Sequence, residues 1–181
     1  NRPFKDVEQM NETLISNWNN VIGPDDTVFH LGDFCLGGAE EWNKLLDRLN
    51  GKIYLILGNH DLKNIRQGFT QKFEHVAMQM RIEVGKQRIY MSHYPFLCFE
   101  GSYKNVWQLF GHVHSRENNT GIDAERLQYL YPTQYDVGVD NNDFTPISFE
   151  QVKRIINKQV ASTNKINIEI SKKITEYIEA D

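Results

Sequence analysis

Cysteine is scarce in this sequence: among 181 residues only Cys35 and Cys98 are thiols, each alone in its segment. That excludes a disulfide framework and a cysteine zinc knuckle, both of which need several thiols at short spacing. Two free thiols suit a reducing compartment, and a cytoplasmic location is expected. Long apolar runs are missing too; none approaches the roughly 20 residues of a membrane-spanning helix, so no membrane partner is expected. The opening Asn1-Arg2-Pro3-Phe4 has neither an initiator Met nor the charged-then-apolar profile of a secretory leader. The natural start is therefore expected upstream. No Lys/Arg cluster precedes the C-terminal tail and the formal net charge is −4, which argues against a duplex-binding surface. A nucleotide or a nucleic-acid end stays admissible as substrate, because metal ions can supply positive charge. No repeat, low-complexity stretch or Pro/Gly-rich linker divides the chain, and its length suits one domain.

Against these absences stands a regular apolar pattern. From Asp6 to Val21, residues Val7, Met10, Leu14, Ile15 and Trp18 recur at the spacing of one helical face, and Gly23-Pro24 stops the helix. Thr27 to Leu31 reads as a short strand. Ala39 to Leu49 is helical, with Trp42, Leu45, Leu46 and Leu49 on one side. Ile53 to Leu57 is an apolar run expected of a strand buried on both faces. Helix and strand in alternation imply a parallel sheet covered by helices. Further on, His75 to Val84 and Gln87 to Ser92 flank a Gly85-Lys86 hairpin turn. Val106 to Phe110 and Tyr135 to Val139 are short strands, and Phe149 to Val160 is a helix. Beyond Asn164 two patterns overlap: Ile166, Ile168 and Ile170 alternate as in a strand, while Ile170, Ile174, Tyr177 and Ile178 keep helical phase. Either pattern fits that stretch, and the two in succession would satisfy both. The pattern describes an α/β sandwich of two mixed β-sheets flanked by helices, with a domain over 1–160 and a C-terminal extension over 161–181.

The chemistry gathers where the apolar strands stop. One strand ends in Gly32-Asp33, the next in Gly58-Asn59-His60-Asp61; another runs into His93-Tyr94-Pro95, and a fourth into Gly111-His112-Val113-His114. In open α/β sheets ligands bind beyond the carboxyl ends of strands. Each end here delivers an oxygen or nitrogen donor, and glycines let the backbone turn sharply beside a bound species. Residues two apart on an extended segment share a face, so His112 and His114 can reach one site. Carboxylate, amide oxygen and imidazole, with no well-placed thiolate, suit Mn, Fe or Zn. Taken singly, Gly32-Asp33 is a common turn and His93 a structural histidine; their conjunction favours a metal site.

These residues, in this order, resemble the calcineurin-like metallophosphoesterases. Asn1-Arg2-Pro3-Phe4, Leu31-Gly32-Asp33-Phe34, Ser92-His93-Tyr94-Pro95 and Val137-Gly138-Val139-Asp140 resemble a subgroup of small bacterial and phage phosphoesterases, over about the first 155 residues. The resemblance implies hydrolysis of a phosphate monoester or diester by hydroxide generated at two divalent metal ions. It implies that Asp33 bridges the ions, that Asn59, His93 and His112 complete one position, and that His114 serves the other. It further implies that His60 touches the substrate and assists the leaving group, oriented by Asp61. Arg2 and Arg116 lie near site-forming segments and are weighed as phosphate contacts.

One family motif is absent. Members open with a strand ending in Asp-x-His, which supplies further ligands to the metal bound by His114, and no Asp-x-His occurs in this sequence. The expectation is that the motif lies upstream, that the second metal position is weakly held with the ligands present, and that hydrolysis is impaired. A sheet short of one strand would also leave a slot that a strand of another copy could fill, making a homo-oligomer admissible. The rival reading is a non-catalytic protein-interaction scaffold on the same fold. The expected ligand is a phosphate-ester small molecule or nucleotide, selected by the loops Phe96 to Asn105 and Ser115 to Gln134. His30 is read as packed, His75 as solvated, Cys35 as a buried thiol, Trp107 and Phe110 as core, and Asp140-Asn141-Asn142-Asp143 as a turn.

Overall fold

Asp6 is extended and its carboxylate accepts the Gln9 N–H, which caps helix α1, Val7–Val21. The computed structural model describes residues 2–68, 72–115 and 124–179, with side chains to residue 164. After α1 come β1 (Thr27–His30), α2 (Ala39–Leu46), β2 (Lys52–Ile56), α3 (Leu62–Arg66) and β3 (His75–Ala77). These strands form a parallel sheet in the order β1-β2-β3. A second sheet holds β4 (Gln79–Val84), β5 (Gln87–Ser92), β6 (Trp107–Phe110) and β7 (Gln134–Asp136) in sequence order. Its β4–β5 pair is antiparallel and its other pairs are parallel. A short helix α4 (Ala124–Leu127) precedes β7, a 3₁₀ turn spans Val139–Asn141, and α5 (Phe149–Glu179) closes the chain. This is the expected two-sheet α/β sandwich.

One expectation changes and one open reading is resolved. His75 to Val84 is not one strand: the chain bends at Met78, leaves the first sheet after β3 and enters the second as β4. Of the two patterns left open in the tail, the helical one holds. The α5 backbone is a continuous 31-residue helix, about 46 Å long at 1.5 Å per residue, and the expected boundary at residue 160 falls inside it. Among the described residues neither sheet takes a strand from this segment, and a helix already nucleated gains a bond with each added residue.

Two apolar clusters hold the layers. Leu31 and Ile56 of the first sheet meet Ile89, Met91 and Trp107 of the second, together with Val152 and Ile156 of α5. On the other side of the first sheet, Ile53, Leu55 and Leu57 pack with Phe34, Trp42 and Phe73. The alternation within β2, where Ile53 and Leu55 face one cluster and Ile56 the other, is the pattern of a strand buried on both faces. Trp107 and Phe110 are core, and His75 is exposed, as expected. Cys35 is half-buried and Cys98 exposed, both free thiols. Among the described residues no helix is long and apolar enough to cross a membrane.

Candidate metal centre

Beyond β1 the chain turns left-handed through Gly32 (φ +93°) and Asp33 (φ +54°). A Cβ on Gly32 would lie 2.5 Å from both the Gly58 nitrogen and His93 Nδ1, and one on Gly58 would strike the Asp33 carboxylate. The two glycines therefore allow the loops after β1 and β2 to touch. Asp61, which has no exposed surface, staples them. Its carboxylate accepts the backbone N–H groups of Asp33, Phe34 and Gly58, each at 2.8 Å. Among the described residues these hydrogen bonds of Asp61 go to backbone N–H groups and none to the His60 imidazole. His60 is exposed, and its own N–H is held by Asp33 Oδ1 at 2.9 Å.

The second sheet contributes from the other side. His93, only 2% exposed, follows β5 and places Nδ1 2.7 Å from the Leu31 carbonyl. A carbonyl only accepts, so Nδ1 carries the hydrogen and Nε2 presents a lone pair. That Nε2 lies 3.2 Å from Asn59 Oδ1, 3.1 Å from His112 Nδ1 and 3.4 Å from Asp33 Oδ2. Ligand atoms of Asp33, His93 and His112 all fall within 4.8 Å of one another. With His93 in its neutral form, a carboxylate, an amide oxygen and an imidazole lone pair thus converge, with only the Tyr94 hydroxyl hydrogen and at most one on His112 Nδ1 to share among them. Such crowding of acceptors is unfavourable by itself and is relieved by a cation. The residues fit a divalent metal. Asp33, His112 (φ +66°) and His114 (φ +47°) also occupy the left-handed region that non-glycine residues avoid. Two ligands come from each sheet.

His114 lies outside this cluster. Its Nδ1 donates to Asp140 Oδ2 at 2.6 Å, and Arg2 grips the same carboxylate through Nε at 2.9 Å and Nη2 at 2.8 Å. Burial alone would push the Asp140 carboxyl up, but hydrogen bonds from His114 and Arg2 outweigh it and hold the group well below the usual carboxylate range. The same bond raises the His114 imidazole. Arg2, weighed as a phosphate contact, is thus paired with Asp140 beside His114. Arg116 lies outside the described residues, as does much of the Ser115 to Gln134 loop.

Sequence reasoning missed three neighbours. Asp140 belongs to its expected turn but also joins Arg2 to His114. Asp136 accepts the N–H and hydroxyl of Ser115 and the N–H of Gly138. Tyr94 donates its hydroxyl to Asn59 Oδ1 at 3.2 Å. Tyr94 and Asp140 sit inside motifs that carried the resemblance, and their place beside functional residues was the available signal.

A sequence model of the calcineurin-like phosphoesterases matches residues 2–144. An uncharacterized protein of Methanocaldococcus jannaschii is 32% identical, the match covering 87% of this chain and 81% of that protein. The Gene 66 protein of Mycobacterium phage L5 is 29% identical over 66% of this chain and 76% of its own. The crystal structure of a protein of unknown function from Aquifex aeolicus superimposes with a TM-score of 0.62 at 25% identity, covering 84% of this chain and 88% of that one. With the family pattern extending over residues 2–144, and Asp33, His93 and His112 placed where they could hold a metal ion, the chain belongs to the calcineurin-like phosphoesterases.

Proposed function

We propose that this domain hydrolyses a phosphate monoester or diester, a nucleotide among the candidates, using a divalent metal ion held by Asp33, Asn59, His93 and His112. The observation that carries the reading is the convergence of those four side chains from two sheets. An ion bound there supplies Lewis acidity toward a phosphoryl group and makes hydroxide available near neutral pH. The donor set suits Mn, Fe or Zn. The chain's own residues do the rest. His93 is locked in one tautomer by the Leu31 carbonyl, so its lone pair is aimed without a rearrangement. Asp33 keeps one oxygen on the His60 N–H and turns the other toward His93. His60, exposed next to Asn59, is the group we place against the leaving oxygen as proton donor. A second ion would find only Asp33 and His114 among the described ligands, too few for tight binding; we propose one firmly held ion and slow turnover.

The test is hydrolysis of a bis-aryl phosphate and of an aryl phosphate with added Mn²⁺, using Asp33→Asn as the blank. Metal-dependent release abolished in the blank is the expected result. Inertness on both esters with Mn²⁺, Fe²⁺ and Zn²⁺ overturns the reading and favours the scaffold.

A further inference from the structure

We infer that Tyr94 is a positioning residue of this centre, a part that nothing in the motif pattern assigns to it: its hydroxyl holds the Asn59 amide with the oxygen inward. The inference rests on the metal-centre reading above. Asn59 is exposed, and a carboxamide can present either its oxygen or its NH₂. Only the oxygen can bind a cation. The Tyr94 hydroxyl donates to that oxygen, while the Tyr94 ring lies edge-on to both imidazoles, with centroids 4.9 Å from His93 and 4.6 Å from His112. The ring thereby walls one side of the cluster, and the hydroxyl reaches the amide, a division of labour for which tyrosine is built.

Tyr94 is itself held from the core. Its carbonyl accepts the Ser92 hydroxyl at 2.6 Å and Gln108 Nε2 at 3.0 Å. Gln108 is wholly buried, and its Oε1 accepts the Phe96 N–H at 3.1 Å as well as Gln134 Nε2. Gln134, its register partner on β7, also donates to the Phe96 carbonyl at 2.9 Å. Two buried amides in a sheet interior are costly unless satisfied. Here three of their hydrogen bonds end on the backbone from Tyr94 to Phe96, so the interior of the second sheet fixes the backbone that carries the Tyr94 ring.

The test is calorimetric titration of the chelator-stripped protein with Co²⁺, together with the visible spectrum of the bound ion. Tyr94→Phe keeps the ring and removes the hydroxyl. It is expected to weaken Co²⁺ binding roughly tenfold and shift the spectrum, with the melting temperature of the metal-free protein unchanged. The decisive comparison is Asn59→Asp, because a carboxylate presents an oxygen whichever way it turns. In that background Tyr94→Phe is expected to change Co²⁺ affinity less than about twofold. Equal binding by Tyr94→Phe and the parent overturns the inference, as does a tenfold loss that persists with Asp at position 59. If the parent itself binds no more Co²⁺ than Asp33→Asn, the metal-centre reading falls and the inference with it.

Discussion

Asp61 and Asp136 do the same job on opposite sheets: each is a buried carboxylate that takes three hydrogen bonds from the loops just beyond the strand ends. An amide in place of Asp61 would turn an NH₂ toward N–H groups that can only donate. Asp61→Asn is expected to cost about 3 kcal/mol of stability in urea unfolding, since unsatisfied buried donors cost ~1–3 kcal/mol each. His60, by contrast, faces outward. His60→Ala is expected to lower kcat by roughly 10²–10⁴-fold, the usual size of a general-acid contribution, while leaving Mn²⁺ affinity unchanged by calorimetry. His30 behaves differently again. It packs between Trp18 and Phe34, and its Nδ1 is sealed away without a partner. Burial, the largest influence, lowers its pKa; Asp61 and Asp33 pull it up and His93 pushes it down. A folded value below the unfolded one means that the protein is favoured while His30 is neutral, and loses that advantage as pH falls below about 6.5. Stability measured at pH 7.5 and 5.5 should drop toward acid, and His30→Leu should shrink the drop.

The helix α2 reaches the centre through aromatic rings. Trp42, 1% exposed, meets Phe34 at 5.4 Å and Phe73 at 5.7 Å edge-on, and Phe34 directly follows Asp33. Trp42→Ala is expected to cost about 3–5 kcal/mol and to weaken metal binding in parallel, with Trp42→Phe milder in both assays. Which parts of this arrangement could be read from residues alone follows the physics of each. The faces of α1 and α2 and the apolar run of β2 were legible because burial imposes a period. The donors at four strand ends were legible because a glycine marks each tight approach except that at His93. Five-residue α3 is too short for a period to show. The break at Met78 was hidden because β3 and β4 differ only in which sheet they join. The stapling by Asp61 is not legible because its partners are backbone N–H groups, which have no sequence signature. The Arg2–Asp140 pair spans 138 positions, and nothing local announces it.

Among the described residues, the two sheets share an apolar layer and, at one end, a polar contact cluster. A cation held by side chains from both should stabilise the folded state by mass action, by about 2.7 kcal/mol when present at 100 times its Kd. For a chain of this length that corresponds to roughly 5–11 °C in melting temperature. The shift should appear with Mn²⁺ or Zn²⁺ in differential scanning calorimetry, vanish with chelator, and be absent in Asp33→Asn.

The bond from His93 Nδ1 to the Leu31 carbonyl has a broader implication. It crosses from one sheet to the other at the point where the donors meet, so a coordination sphere formed there would be a caliper laid across the gap between the sheets. A spectroscopic ion seated there reads their separation directly, and it will register a parting of the two halves under pressure, denaturant or a bound partner while each sheet is still intact.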